Sequence, residues 1–222
     1  MNVKSFSAIV IATIFSCAVV SAQSVKHELG FFVGGAYSSA RSDLFTTASG
    51  QMGATAGCSF VFNFGDRFSL TQDVAFVQRG TSARAVQFRP EREPAISSYE
   101  YKYNAFEVGA LAGFSPFRNI PLSIQGGGYF GSHFHNMNGD NRDLYIGDYN
   151  SVNDATPAYK LVDAFSGIDF GPAVGISAGK GNLRVNARYY LGMRNLYNNL
   201  DFVQPGSHIR TNSIRVTVSY FL

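Results

Sequence analysis

Two histidines and a group of aspartates in the middle of the chain could bind a metal ion or activate water. His133 and His135 are separated by one residue, so on a β-strand their side chains share a face. Asp140, Asp143 and Asp148 follow in a polar segment. Two histidines and a carboxylate can ligate zinc, and a His–Asp pair at the outer rim of a barrel can act as a general base.

Further sequence signals of such chemistry are weak. No His-Glu-x-x-His motif and no EF-hand calcium loop is present in the sequence, and we expect no Gly-x-Ser-x-Gly nucleophile elbow. Ser132 adjoins His133, so on a strand it points to the opposite face, which is poor geometry for a nucleophile and its base. We therefore predict no metal, no cofactor and no enzymatic activity. A rim-active hydrolase that uses His133 and His135 is the alternative.

A second group of chemically active residues consists of charged side chains at alternate positions within apolar segments. Its members are Asp73, Glu107, Asp169, Arg184, Arg188 and Arg215. On strands all of them point away from the apolar face, and therefore toward an interior. Because a buried charge is costly unless it is paired, three acids and three arginines predict a structural core of ion pairs. The other interpretation is a selectivity filter or proton path in a narrow channel for small solutes.

The elements that position these residues show an apolar period of two. In the last segment, Ile214, Val216 and Val218 alternate with Arg215 and Thr217. The same alternation recurs along the chain. The segments that show it are Leu29–Ser38, Gln51–Phe62, Phe68–Phe76, Tyr103–Phe114, Leu122–His133, Ile168–Ala178, Leu183–Leu191 and Ser213–Leu222.

The lengths of these segments distinguish a membrane barrel from a soluble sandwich. They run to about ten residues or more, whereas soluble strands average about five or six and membrane-crossing strands need about nine to eleven. Short connections alternate with long polar ones, which fall at Ser39–Gly50, Gly80–Ser98, His135–Val162 and Asn195–His208. The pattern predicts an all-β fold, an eight-stranded antiparallel transmembrane β-barrel with up-and-down meander topology. Eight strands leave an interior filled by side chains, with no open pore.

The first residues indicate export. Lys4 precedes the apolar run Ala8–Val20, and Val20-Ser21-Ala22 fits a signal-peptidase site. We predict a signal peptide over residues 1–22 and a barrel domain over residues 23–222. Lipidation of Cys17 in a loose lipobox is the alternative to cleavage before Gln23.

Composition narrows the partners. The chain has 18 basic and 15 acidic residues, a balance that gives no reason to expect nucleic acid binding. It has 20 Phe and 12 Tyr, which suits a lipid-facing wall. Aromatic residues near predicted strand ends, Tyr103 and Tyr190 among them, are expected in a girdle at the membrane interface.

Three short segments carry a resemblance to a known family. They are Phe76-Val77-Gln78-Arg79-Gly80, Asp169-Phe170-Gly171-Pro172-Ala173-Val174-Gly175 and Ala187-Arg188-Tyr189-Tyr190-Leu191-Gly192-Met193. In this order the chain resembles the PorT-like outer-membrane β-barrel family of Bacteroidota over Glu28–Leu222. The resemblance implies the outer membrane of a Gram-negative cell envelope and insertion by the barrel assembly machinery. The founding member is associated with type IX protein secretion. The chain departs from such barrels at its end, where Leu222 takes the outward position that an aromatic residue usually holds.

These observations lead to one functional prediction. We expect a non-enzymatic outer-membrane barrel, surrounded by outer-membrane lipid, with a surface-binding, accessory or structural role. Its further partners would be a surface ligand or a component of a secretion system.

Overall fold

The computed structural model describes residues 25–42, 47–89, 92–117, 120–135, 145–146, 159–160, 167–195 and 209–222. These residues form strands β1 (Lys26–Ser42), β2 (Thr47–Phe64), β3 (Phe68–Arg89), β4 (Arg92–Phe114), β5 (Leu122–His135), β6 (Tyr145–Ile146), β7 (Tyr159–Lys160), β8 (Gly167–Lys180), β9 (Leu183–Leu191) and β10 (Ile209–Phe221). No helix among the described residues is long and apolar enough to cross a bilayer.

Eight of the strands close into a barrel. Each of β1–β5 and β8–β10 pairs in antiparallel fashion with its neighbour in the chain, β5 with β8, and β1 pairs with β10 to complete the ring. The short strands β6 and β7 pair with each other, and β6 contacts β3 at Gln87, outside this ring. The predicted eight-stranded antiparallel meander is confirmed.

Side chains alternate across the barrel wall. On β10, Ile214, Val216 and Val218 are 49%, 51% and 45% exposed, whereas Arg215 and Thr217 between them are buried. Closure leaves no unpaired strand edge within the wall, so the backbone can cross hydrocarbon with its hydrogen bonds satisfied. The exposed apolar rows therefore face lipid, and the buried polar rows fill the lumen.

Tight turns identify one end of the barrel. Gly65–Arg67 joins β2 to β3, and Gly181–Asn182 joins β8 to β9. Gly65 and Gly181 have φ angles of 66° and 64°, in the left-handed region that glycine adopts without a steric penalty. Short turns lie at the periplasmic end of outer-membrane barrels, so the opposite end is external.

The external end differs from the sequence prediction in one respect. The predicted long loop Gly80–Ser98 is largely a ladder, because β3 continues to Arg89 and β4 begins at Arg92. The two strands have 22 and 23 residues, against nine in β9. The apolar alternation ends where contact with lipid ends, but cross-strand hydrogen bonds between β3 and β4 do not require it. The same reason explains β1 and β2, which extend into the predicted loop Ser39–Gly50.

Candidate functional site

Five of the six predicted charged residues are buried in the lumen, and the sixth lies near one end of the barrel. Asp73, Glu107, Asp169, Arg188 and Arg215 are all buried. Arg184 lies near the periplasmic end instead. Its guanidinium pairs with the Glu28 carboxylate, and the two side chains are 24% and 29% exposed.

The third arginine of the buried set is Arg79, whose side chain is 0% exposed. Its Nη2 lies 2.7 Å from Glu107 Oε1, and its Nη1 lies 3.2 Å from Asp169 Oδ2. Glu107 also pairs through Oε2 with Arg215. We call Arg79, Glu107, Asp169 and Arg215 the outer charge cluster. One arginine thus joins two carboxylates into a single network.

Neutral groups complete this outer charge cluster. The Tyr129 hydroxyl donates to Asp169 Oδ2 at 2.8 Å, and the Thr211 hydroxyl donates to the same oxygen at 2.6 Å. The Arg215 guanidinium lies 3.8 Å from the centroid of the Tyr190 ring. Such contacts lower the cost of removing charges from water, because they replace part of the lost hydration.

A second network lies closer to the periplasmic end. Arg188 pairs with Asp73 Oδ2, and its Nε donates to Gln125 Oε1 at 2.8 Å. Ser59 Oγ donates to Asp73 Oδ1 at 2.5 Å. We call Asp73, Arg188, Gln125 and Ser59 the inner charge cluster. Each buried charge of the two clusters therefore has a partner of opposite sign.

The space between the two clusters is small. A cavity of about 20 Å³ lies among Asp73, Glu107, Arg188 and Arg215. A buried water needs roughly 10–15 Å³ of cavity volume, measured as the space open to the centre of a water molecule, and two to four polar partners. The cavity therefore has room for about one water molecule. A wider vestibule of about 180 Å³ opens at the periplasmic end beside Ser123 and Ser177. Side chains thus fill the lumen at the level of the clusters.

Sequence reasoning missed Arg79, although a signal for it was present. The inward row of β3 runs Asp73, Ala75, Val77, Arg79, whereas the predicted segment ended at Phe76. The buried core contains three acids, Asp73, Glu107 and Asp169, and three arginines, Arg79, Arg188 and Arg215, whereas Arg184 lies outside it.

The histidines do not form an open rim site in the described structure. The His133 side chain is buried, and its ring centroid lies 4.8 Å from that of Tyr103. The side chain of His135 and the residues Asp140, Asp143 and Asp148 lie outside the described part of the chain. Within the described ranges, no group of three His, Cys, Asp or Glu side chains is arranged to hold a metal ion.

One catalytic spacing in the sequence has a structural explanation. Gly175-Ile176-Ser177-Ala178-Gly179 has the Gly-x-Ser-x-Gly spacing, although no nucleophile elbow was expected from the sequence. A nucleophile elbow requires a sharp turn from a strand into a helix. Here the segment lies inside β8, paired on both sides with β5 and β9, and Ser177 is buried. The pattern reflects the small side chains of the inward row.

Two aromatic residues differ from the predicted girdle. Tyr103 and Tyr190 are buried on the inward face. Their positions on the inward rows of β4 and β9 place them in the lumen, where Tyr190 contacts Arg215. Exposed aromatic residues such as Phe68, Phe114 and Tyr189 remain on the lipid-facing side of the wall.

A closed antiparallel ladder with a lipid-facing wall and an ion-paired lumen defines the class of small transmembrane β-barrels. A comparison with protein families identifies the particular group. The chain belongs to the family of outer membrane protein beta-barrel domains, which matches residues 21–198. It is therefore a protein of the outer membrane.

Solved structures with a similar fold include three outer-membrane proteins. The attachment invasion locus protein Ail of Yersinia pestis, in complex with the heparin analogue sucrose octasulfate, has 13% identity and a TM-score of 0.46, with 89% of this chain and 99% of that chain covered. Neisserial surface protein A has 13% identity and a TM-score of 0.44, with 86% and 96% covered. OprG from Pseudomonas aeruginosa has 11% identity and a TM-score of 0.43, with 87% and 95% covered. No curated protein matches the chain.

Proposed function

We propose that this protein is a non-enzymatic binding or accessory component of the outer membrane, which acts through its external β3–β4 hairpin. The observation that carries the proposal is the length of this hairpin. β4 begins at Arg92, but β5 opposes it only from Tyr103 onward among the described residues. Cross-strand pairs from Ser82 with Glu100 to Val86 with Ile96 extend the β3–β4 ladder beyond the end of β5.

The composition of this hairpin favours recognition over simple connection. The segment Ala95–Lys102 contains two tyrosines, two serines and charges of both signs. Tyrosine and serine are enriched in binding surfaces, because tyrosine offers a large contact area with few rotatable bonds and serine offers hydrogen bonds. A β-ladder holds such residues in a fixed arrangement, which lowers the entropic cost of binding.

The lumen supports a structural role for the charged residues. Arg79, Glu107 and Asp169 satisfy one another, and no substrate-sized space separates them in the described structure. The burial of His133 argues against the rim-active hydrolase. The same proposal includes membership in the PorT-like group and removal of residues 1–22 as a signal peptide. It also includes partners in the assembly or secretion machinery.

Shortening the hairpin tests the binding role. Ser82 and Glu100 oppose each other, so residues 83–99 can be replaced by an Asn-Gly turn that closes the ladder at this pair. We expect the shortened protein to insert and fold, and to lose surface partners that the intact protein captures by cross-linking on whole cells. Altered mobility on unheated gels provides the control for folding. An unchanged set of cross-linked partners would move the binding role away from the hairpin.

Conductance tests the closed lumen. Because paired side chains fill the space around the cavity of about 20 Å³, we expect the purified protein to show no channel openings in a planar bilayer. A larger porin inserted under the same conditions provides the positive control. Reproducible unitary currents from this protein would favour the narrow channel for small solutes and remove the structural interpretation of the clusters.

A further inference from the structure

Two exposed arginines oppose each other at the external end of the barrel wall. Arg41 on β1 and Arg210 on β10 are direct cross-strand partners, and both side chains are exposed. They continue the outward rows of their strands, which contain Tyr37 and Ile214. Like charges directly opposite each other on a sheet destabilise it, so this pair needs an explanation.

The lumen contains a second pair of arginines that oppose each other across two strands. Arg188 and Arg215 are also direct cross-strand partners, on β9 and β10. Each of them faces its own carboxylate, Asp73 for Arg188 and Glu107 for Arg215. Within the described residues no carboxylate pairs with Arg41 or Arg210. The external pair therefore leaves two adjacent cations without a protein anion in that part of the chain.

The depth of the pair indicates what surrounds it. Along β1 and β10, the outward partners change from Val33 and Val218 to Tyr37 and Ile214, then to Ser39 and Asn212, and then to Arg41 and Arg210. The row changes from apolar to polar to cationic. Four residues span roughly 13 Å along a strand, or about 9 Å along the membrane normal at a tilt of about 45°, which places the arginines beyond the apolar row, at the level of lipid headgroups.

A third arginine adds to the positive charge at this end. Arg194 follows β9, and its Nη1 donates to the carbonyl oxygen of Ile168 at 3.2 Å. The backbone is joined to β10 close by, since Gly192 N donates to Thr211 O at 2.7 Å. Arg194 is two residues from Gly192, which contacts Thr211, and Thr211 adjoins Arg210.

We propose that Arg41 and Arg210 bind a phosphate group of an anionic lipid in the outer leaflet. Guanidinium groups match phosphate oxygens with paired hydrogen bonds, and a phosphate between two arginines removes their repulsion. The lipid is the occupant that the position favours, because its headgroup lies beside the wall at this depth while its chains contact the apolar rows below. The site is separate from the β3–β4 hairpin.

A lipid titration tests this site. The full chain, purified in an uncharged maltoside detergent, is titrated with bisphosphorylated lipid A and with the same lipid after dephosphorylation, and bound lipid is counted by native mass spectrometry. We expect the phosphorylated lipid to bind at least about tenfold more tightly, because charge-assisted hydrogen bonds to phosphate are lost in the other. The double variant Arg41→Gln/Arg210→Gln should lose this preference.

A matched variant controls for net charge. Lys26→Gln/Lys180→Gln removes two exposed cations from the periplasmic end of the barrel and should keep the preference. The single variants Arg41→Gln and Arg210→Gln should each lose part of it, and they replace the double variant if that one does not fold. Equal binding of both lipids, or a preference that survives all arginine variants, would overturn the proposal. Displacement of lipid A by millimolar inorganic phosphate would assign the site to a soluble anion instead.

Discussion

Replacing Arg79 with methionine is expected to lower the free energy of unfolding by about 3–5 kcal/mol, because it leaves buried carboxylates short of a cation. Methionine keeps the unbranched apolar stem of arginine but lacks the guanidinium, so the change removes the positive charge together with its hydrogen-bond donors. Glu107 would keep Arg215, but Asp169 would keep only the neutral donors Tyr129 and Thr211. The measurement is the urea midpoint and slope for the protein in detergent micelles or vesicles.

Arg184→Met provides the matched control. Arg184 also pairs with a carboxylate, but that pair is partly exposed, so its loss should cost only about 0–1 kcal/mol. A second variant adds Asp169→Asn to Arg79→Met and should recover part of the lost stability, because it removes the unpaired carboxylate. If both arginine variants had the same effect, or if Asp169→Asn made the first variant worse, the ion pairs would not be the main source of the cost.

The wall of the barrel could be predicted from the sequence because lipid imposes a strict pattern on it. Each position of β10 has only two environments, hydrocarbon or lumen, so Val216 and Arg215 identify their faces by chemistry alone. Strand lengths above those of soluble sheets then indicated the membrane, and the number of alternating segments gave the number of strands. The alternation of short and long connections gave the orientation.

The partners of the charged residues could not be predicted in the same way. The period of two gives the face of a side chain but not its level along the barrel axis. Asp73 and Arg188 meet although they are 115 positions apart in the chain, and this depends on the registers of the strands between them. Arg184 has the correct face but pairs with Glu28 near the periplasmic end, and Arg79 takes its expected place.

The external extensions of the strands could not be predicted from the sequence for a related reason. Beyond the membrane, β3 and β4 are held by their own hydrogen bonds and no longer need an apolar row, so the sequence of the hairpin reads as a loop. His133 was assigned to an exposed rim because it lies near the end of β5. The ladder of β3 and β4 continues past it, and the buried His133 ring lies against the Tyr103 ring.

The lipid-facing assignment has its own test in Val216→Arg, which is expected to destabilise the folded protein by about 2–4 kcal/mol, the cost of a cation on the outer face near the bilayer midplane. Val216 lies in the middle of the outward row of β10 and is 51% exposed in the isolated chain, so in water this substitution would cost little. Leu183→Arg provides the control, because Leu183 is on the same side of the wall at the periplasmic end of β9 and the expected cost near an interface is only about 0–1 kcal/mol. The measurement is reversible unfolding in vesicles. Equal costs at the two positions would contradict a wall that crosses hydrocarbon, whereas a large cost at Val216 alone would locate the bilayer on the outward row, with the paired charges of the lumen shielded behind it.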